Sequence, residues 1–94
     1  RISESVPSEY ALKQNFPNPF NPSTTIHYQV AGTGLVTLNV YNVLGEGVAT
    51  LVNEVKSPGT YEVNWDADAV PSGVYFYKMQ SGSFTETRRM LLLR

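Results

Sequence analysis

Thr24 to Tyr41 reads TTIHYQVAGTGLVTLNVY, and its alternation decides the fold. Ile26, Tyr28 and Val30 fall on one side of an extended chain, with Thr25, His27 and Gln29 on the other. After a turn at Ala31 to Gly34, Val36, Leu38 and Val40 alternate in the same way with Thr37, Asn39 and Tyr41. A period of two is what a strand with one buried face requires.

The pattern repeats in both directions. Tyr61, Val63 and Trp65 alternate with Glu62, Asn64 and Asp66; Val74 to Gln80 reads as a further strand, paired through a turn at Ser81-Gly82 with Phe84 to Leu93. Val48 to Val55 also fits a helical stripe, but its length, its three valines and the flanking Gly47 and Pro58-Gly59 favour a strand. Tyr10 to Gln14 reads as a short first strand. The proline-dense stretch Asn15 to Ser23 (NFPNPFNPS) excludes a helix and a central strand. It predicts a rigid corner held by Asn side chains, with Phe16 and Phe20 plugging the core. Met90 to Leu93 is aliphatic throughout and leaves the register of the last strand open. About seven short strands between turn signals, with no confident helix, predict an all-β antiparallel sandwich of the Ig-like kind.

The 94 residues suffice for one such domain, which closes at roughly 100 residues. A formal charge of −1 gives no footprint for nucleic acid. The longest aliphatic run, four residues, is far short of the ~18 that a membrane-spanning helix needs. With no cysteine, the core must stand without a disulfide, and Tyr28, Tyr61, Trp65 and Tyr77 are expected to fill it. Tyr75, at the start of its strand, is placed as the tyrosine of an Ig-type corner, its hydroxyl tied to backbone a few residues upstream. Residues 1–9 (RISESVPSE) read as a linker from an upstream cargo domain, and residues 10–94 as the domain itself.

Three blocks carry a family resemblance: LKQNFPNPFNPSTT at Leu12 to Thr25, VTLNVYNVLGEGVATLV at Val36 to Val52, and GTYEVNWDADAVPSGVYFYKMQSG at Gly59 to Gly82, followed by TETRRMLLLR. In this order and spacing they resemble the type A C-terminal sorting domain of the type IX secretion system, related in fold to the Ig-like domain of the flagellar hook-capping protein. The resemblance implies a non-catalytic module at the end of a secreted cargo, with no cofactor. Its implied partners are the outer-membrane translocon and a sortase-like peptidase. It implies passage through the periplasm to the cell surface or the extracellular space. Matching positions are Pro17, Asn18 and Pro19 in the first block, Tyr41, Gly45 and Val48 in the second, Gly73, Tyr75 and Lys78 in the third, and Arg89 and Arg94 at the end. Glu46 departs from the basic residue that many members carry after the glycine of the second block.

For the PNPFNPS block, a structural corner and an exposed epitope for the secretion machinery both remain open. For the last strand, with Arg88, Arg89 and Arg94, the alternatives are a charged edge that discourages aggregation and an edge that the translocon reads by strand addition. His27, the one histidine, falls on an outward face and reads as a solvated surface residue. Asn64, Asp66 and Asp68 superficially suggest a calcium loop but lack the downstream glutamate, so turn-forming hydrogen bonds are the better reading. The competing function is an Ig-like accessory or spacer domain of an extracellular enzyme, binding carbohydrate through Phe76 and Tyr41.

Overall fold

A computed structural model describes residues 7–94. Among them, β-branched and aromatic residues in alternation form seven strands and no helix. These are β1 (Ala11–Leu12), β2 (Ser23–Val30), β3 (Gly34–Tyr41), β4 (Gly47–Lys56), β5 (Gly59–Asp66), β6 (Gly73–Ser81) and β7 (Phe84–Leu92). They make two antiparallel sheets, ordered β1-β2-β5 and β4-β3-β6-β7. No helix of the described residues is long and apolar enough to cross a membrane.

The inward residues of both sheets meet in one core. Ile26, Tyr28 and Val30 of β2 and Trp65 of β5 face Val36, Leu38 and Val40 of β3, Tyr75, Tyr77 and Met79 of β6, and Met90 and Leu92 of β7. The ambiguous segment is a strand, as its valines indicate. Two register shifts between β3 and β4, at Leu38/Asn39 and Val40/Tyr41, interrupt its alternation and explain the helix-like spacing. In β7 the inward set is Phe84, Glu86, Arg88, Met90 and Leu92, which settles the register that the aliphatic run concealed. The β6–β7 loop is Gly82-Ser83, one residue beyond the expected position, since Ser81 pairs with Phe84.

Several expectations need correction. The first strand is only Ala11–Leu12, because the backbone beyond it is taken up by the proline-dense corner. Phe20 is buried, but Phe16 is 77% exposed. Phe16 lies opposite Thr25, an outward position of β2, so the same parity turns its ring to solvent. Tyr61 is half-buried, stacked at 5.5 Å on Tyr28 near the sheet edge. His27 is exposed as expected, and Glu62, directly across on β5, approaches its Nε2 at 2.9 Å. Both side chains are exposed, so the pair contributes little. Of the stretch read as a linker, residues 1–6 lie outside the described residues, and Pro7 to Glu9 are irregular.

The tyrosine corner is present. Tyr75 donates its hydroxyl proton to the Pro71 carbonyl at 2.6 Å, and Trp65 packs edge-on to its ring at 5.6 Å. Tyr75→Phe is expected to destabilise the domain by about 1–2 kcal/mol, since it leaves that carbonyl without its partner. Denaturant unfolding of the two proteins measures this; superimposable curves would show that the corner contributes nothing.

Candidate functional site

The corner between β1 and β2 is built around a buried asparagine. Asn15 donates its backbone N–H to the Tyr77 hydroxyl at 2.8 Å and its side-chain amide to Thr24 Oγ1 at 2.9 Å and the Pro17 carbonyl at 3.1 Å. Thr24 Oγ1 donates to the same carbonyl at 2.9 Å, and the Tyr77 hydroxyl donates to the Lys13 carbonyl at 2.7 Å. The segment is thereby pinned to both sheets and projects Pro17, Asn18 and Pro19 into solvent. The peptides before Pro17, Pro19 and Pro22 are cis.

Once fixed, the corner runs alongside β7. Gln14 Nε2 donates to the Arg89 carbonyl at 2.8 Å, and the Leu91 N–H donates to Asn18 Oδ1 at 3.0 Å. Phe20 N–H donates to the Leu91 carbonyl and Leu93 N–H to the Phe20 carbonyl, both at 3.0 Å, a parallel bridge. The outward backbone groups of β7 from Arg89 to Leu93 are therefore occupied. Strand addition there would have to displace the corner, including the buried Phe20, so this portion of β7 is not an open edge.

The expected site residues divide into braces and free groups. Arg88 points inward and donates Nε–H to the Leu12 carbonyl at 2.6 Å, tying β7 to β1, and pairs with Glu86 at 3.1 Å. The Arg94 guanidinium donates to the Ala67 and Val70 carbonyls and sits 3.6 Å from Asp68, while the Arg94 backbone N–H donates to Ser72 Oγ at 3.1 Å. Arg94 thus holds the loop that presents Pro71 to Tyr75. In the same loop Asp66 Oδ1 accepts from the Asp68 N–H at 3.1 Å, the turn bond expected of it. Gly73 ends this loop at φ +150°, a conformation side chains rarely adopt.

Gly45 has φ +83° in a turn organised by Asn42, whose Oδ1 accepts from the Leu44 and Glu46 N–H groups at 2.9 and 3.0 Å. Glu46, the departure from the family pattern, accepts from Asn42 Nδ2 at 2.8 Å and closes the turn from the other side.

Asn18, Pro19, Lys78 and Arg89 remain exposed or half-exposed, with no carboxylate within 4 Å of either cation among the described residues. Asn18, Pro19 and Arg89 line a shallow depression of about 280 Å³ with Val74 and Leu91. Lys78 and Gly45 line another of about 340 Å³ with Tyr41 and Phe76. Among the described residues no group of three or more His, Cys, Asp and Glu side chains could hold a metal ion.

The corner is held by Asn side chains, those of Asn15 and Asn18, as the sequence predicts, but the sequence does not single out Asn15 with Thr24 as its hub. Thr24 shares its parity with Ile26 and Tyr28, which marks it as inward. Asn15 carries no comparable signal, since no alternation runs through the prolines.

A family model described as secretion system C-terminal sorting domain matches residues 14–93. No curated protein and no solved structure shows significant similarity to the chain.

Proposed function

This chain belongs to the secretion system C-terminal sorting domain family, and on that premise we propose that it directs a covalently linked cargo through the type IX machinery. Membership carries a sorting role and export to the cell surface or extracellular space. In our reading residues 10–94 are the recognised unit and residues 1–9 the connection to cargo. The partners are the outer-membrane translocon, met after the periplasm, and a sortase-like peptidase. The module acts as a folded shape and catalyses nothing itself.

The observation that carries this reading is the extent of the match, which takes in the corner, the Asn42–Glu46 turn and β7 rather than one block alone. The division of residues supports it. The Arg88 and Arg94 guanidinium groups are committed to internal hydrogen bonds, as are Asn18 Oδ1 and the Pro17 carbonyl, whereas the Pro19 ring and the Lys78 and Arg89 side chains are left for a partner.

The test fuses the chain to a fluorescent reporter in a type IX-competent host. Deleting Arg88 to Arg94 is a poor variant, because it removes the buried Met90 and Leu92 and abolishes the fold along with any signal. Arg89→Gln together with Asn18→Ala leaves the core intact and is expected to lower export about tenfold or more, a loss of ~1.4 kcal/mol of recognition. Export of the reporter without the chain, or its retention despite an intact chain, would defeat the proposal.

A further inference from the structure

The outer face of the four-stranded sheet carries an unusual set of side chains. Its cross-strand rows are Leu35 with Val55; Thr37 with Asn53, Gln80 and Thr85; Asn39 with Thr50, Lys78 and Thr87; Tyr41 with Gly47, Phe76 and Arg89; and Val74 with Leu91. No aspartate or glutamate lies in any row. Lys78 and Arg89 therefore form a positive patch, while the rest of the chain carries five cations against eight acids.

The two cations are diagonal neighbours across β6 and β7, a geometry that sets such residues roughly 7–8 Å apart, within reach of one shared anion for side chains of this length. Between and beside them lie two half-exposed aromatic rings. Tyr41 pairs with Phe76, Phe76 pairs with Arg89, and Lys78 Nζ sits 5.8 Å from the centre of the Tyr41 ring. The depression lined by Tyr41, Phe76, Lys78 and Thr87, about 340 Å³, falls at the small end of ligand sites, which run from ~300 to ~1,000 Å³; Arg89 does not line it but stands across from Phe76 on β7.

We propose that this face binds an acidic sugar residue, its pyranose ring lying on Tyr41 and Phe76 and its carboxylate or phosphate held between Lys78 and Arg89. Aromatic faces suit the C–H side of a pyranose, and Lys78 and Arg89 match the charge. The neighbouring Asn39, Thr50, Thr87 and Gln80 offer hydroxyl and amide groups to the sugar hydroxyls. An acidic protein surface would share the charge. However, protein interfaces are built around an apolar core depleted of charged residues, and here Lys78 and Arg89 stand at the centre of the patch beside a row of Asn39, Thr50 and Thr87, with the apolar pair Val74 and Leu91 flanking the rings on the other side only. The inference goes beyond the sorting role. Glycan binding is read on the isolated chain and export on a reporter fusion, so either can fail alone.

The experiment maps backbone amide shifts of the 94-residue chain by NMR while titrating tri-galacturonate, glucose 6-phosphate, maltotriose or poly-glutamate. Saturable shifts centred on Tyr41, Phe76, Lys78 and Thr87 are expected with an acidic sugar, at a Kd of about 1 mM or tighter, and not with maltotriose. The two acidic arms separate a carboxylate from a phosphate preference. Lys78→Gln and Arg89→Gln should each weaken binding about tenfold, and Tyr41→Leu, which keeps apolar bulk but removes the ring, about threefold or more. Thermal melts check that each variant folds, and the two outward-facing cation variants keep the test alive if Tyr41→Leu does not. Absence of saturable shifts with both acidic sugars overturns the proposal. Equal binding of maltotriose, or poly-glutamate binding as tightly with no effect of Tyr41→Leu, overturns it too.

Discussion

Tyr77→Phe is expected to lower the stability of the domain by about 2–3 kcal/mol, although it removes a single oxygen from a ring that stays buried. That oxygen accepts the Asn15 N–H and donates to the Lys13 carbonyl, so its loss leaves a donor and an acceptor of the corner unpartnered, the donor fully buried. Tyr77→Ala adds a large cavity and should cost about 5 kcal/mol, comparable to the whole stability of many small domains. Denaturant titration followed by tryptophan fluorescence measures both, with Trp65 as the reporter. A phenylalanine variant within about 0.5 kcal/mol, the spread of ordinary surface substitutions, would mean that the hydroxyl does not anchor the corner.

The same hydroxyl gives a pH dependence. Burial pushes its pKa from 10.0 up to about 12, outweighing the Asn15 hydrogen bond and nearby Arg88, which pull the other way. A raised pKa means that the folded state holds its proton more tightly than the unfolded chain. This contribution is therefore fully present below pH 10 and is lost as pH rises toward about 12. In Tyr77→Phe this part of the alkaline loss should vanish, and a wild-type slope across that window would contradict the assignment.

Phe20→Ala is expected to cost about 3–5 kcal/mol and to make the protein associate. The ring is buried and tilted against Trp65 at 5.9 Å, and it holds in place the backbone that caps Leu91 and Leu93. Without it, an aliphatic strand end presents open hydrogen-bonding groups, the usual starting point for edge-to-edge pairing. Thermal melts give the stability and light scattering the association. Asn18→Ala, which removes only the Leu91 bond, is the milder control and should stay monomeric. A Phe20→Ala protein that is as stable as the parent and monomeric would show that the corner is an ornament on a self-sufficient sheet.

The sandwich was legible wherever one face of a strand is buried and the other wet. Ile26-Tyr28-Val30 and Val36-Leu38-Val40 declare their parity, and the corner role of Tyr75 followed from its place at a strand start. Legibility failed where alternation is silent. Met90 to Leu93 is aliphatic on both faces, because Leu91 lies under the corner while Met90 and Leu92 fill the core. Phe16 and Phe20 look equivalent in sequence, yet one sits opposite an outward threonine and the other beside Leu92. Arg88, Arg89 and Arg94 look alike as charges. Only the fold separates two that bind backbone carbonyls from one that faces solvent, because those carbonyls belong to β1 and the Ala67–Val70 loop, far off in sequence.

The parallel bridge between Phe20 and Leu92 also governs how the domain bears load. Tension applied between Tyr10 and Arg94 draws the two segments in opposite directions along their common axis. The bonds of Phe20 to Leu91 and Leu93, and that of Asn18 to Leu91, are then strained together instead of being unzipped one after another. A tether that pulls from both ends would therefore load these bonds in shear.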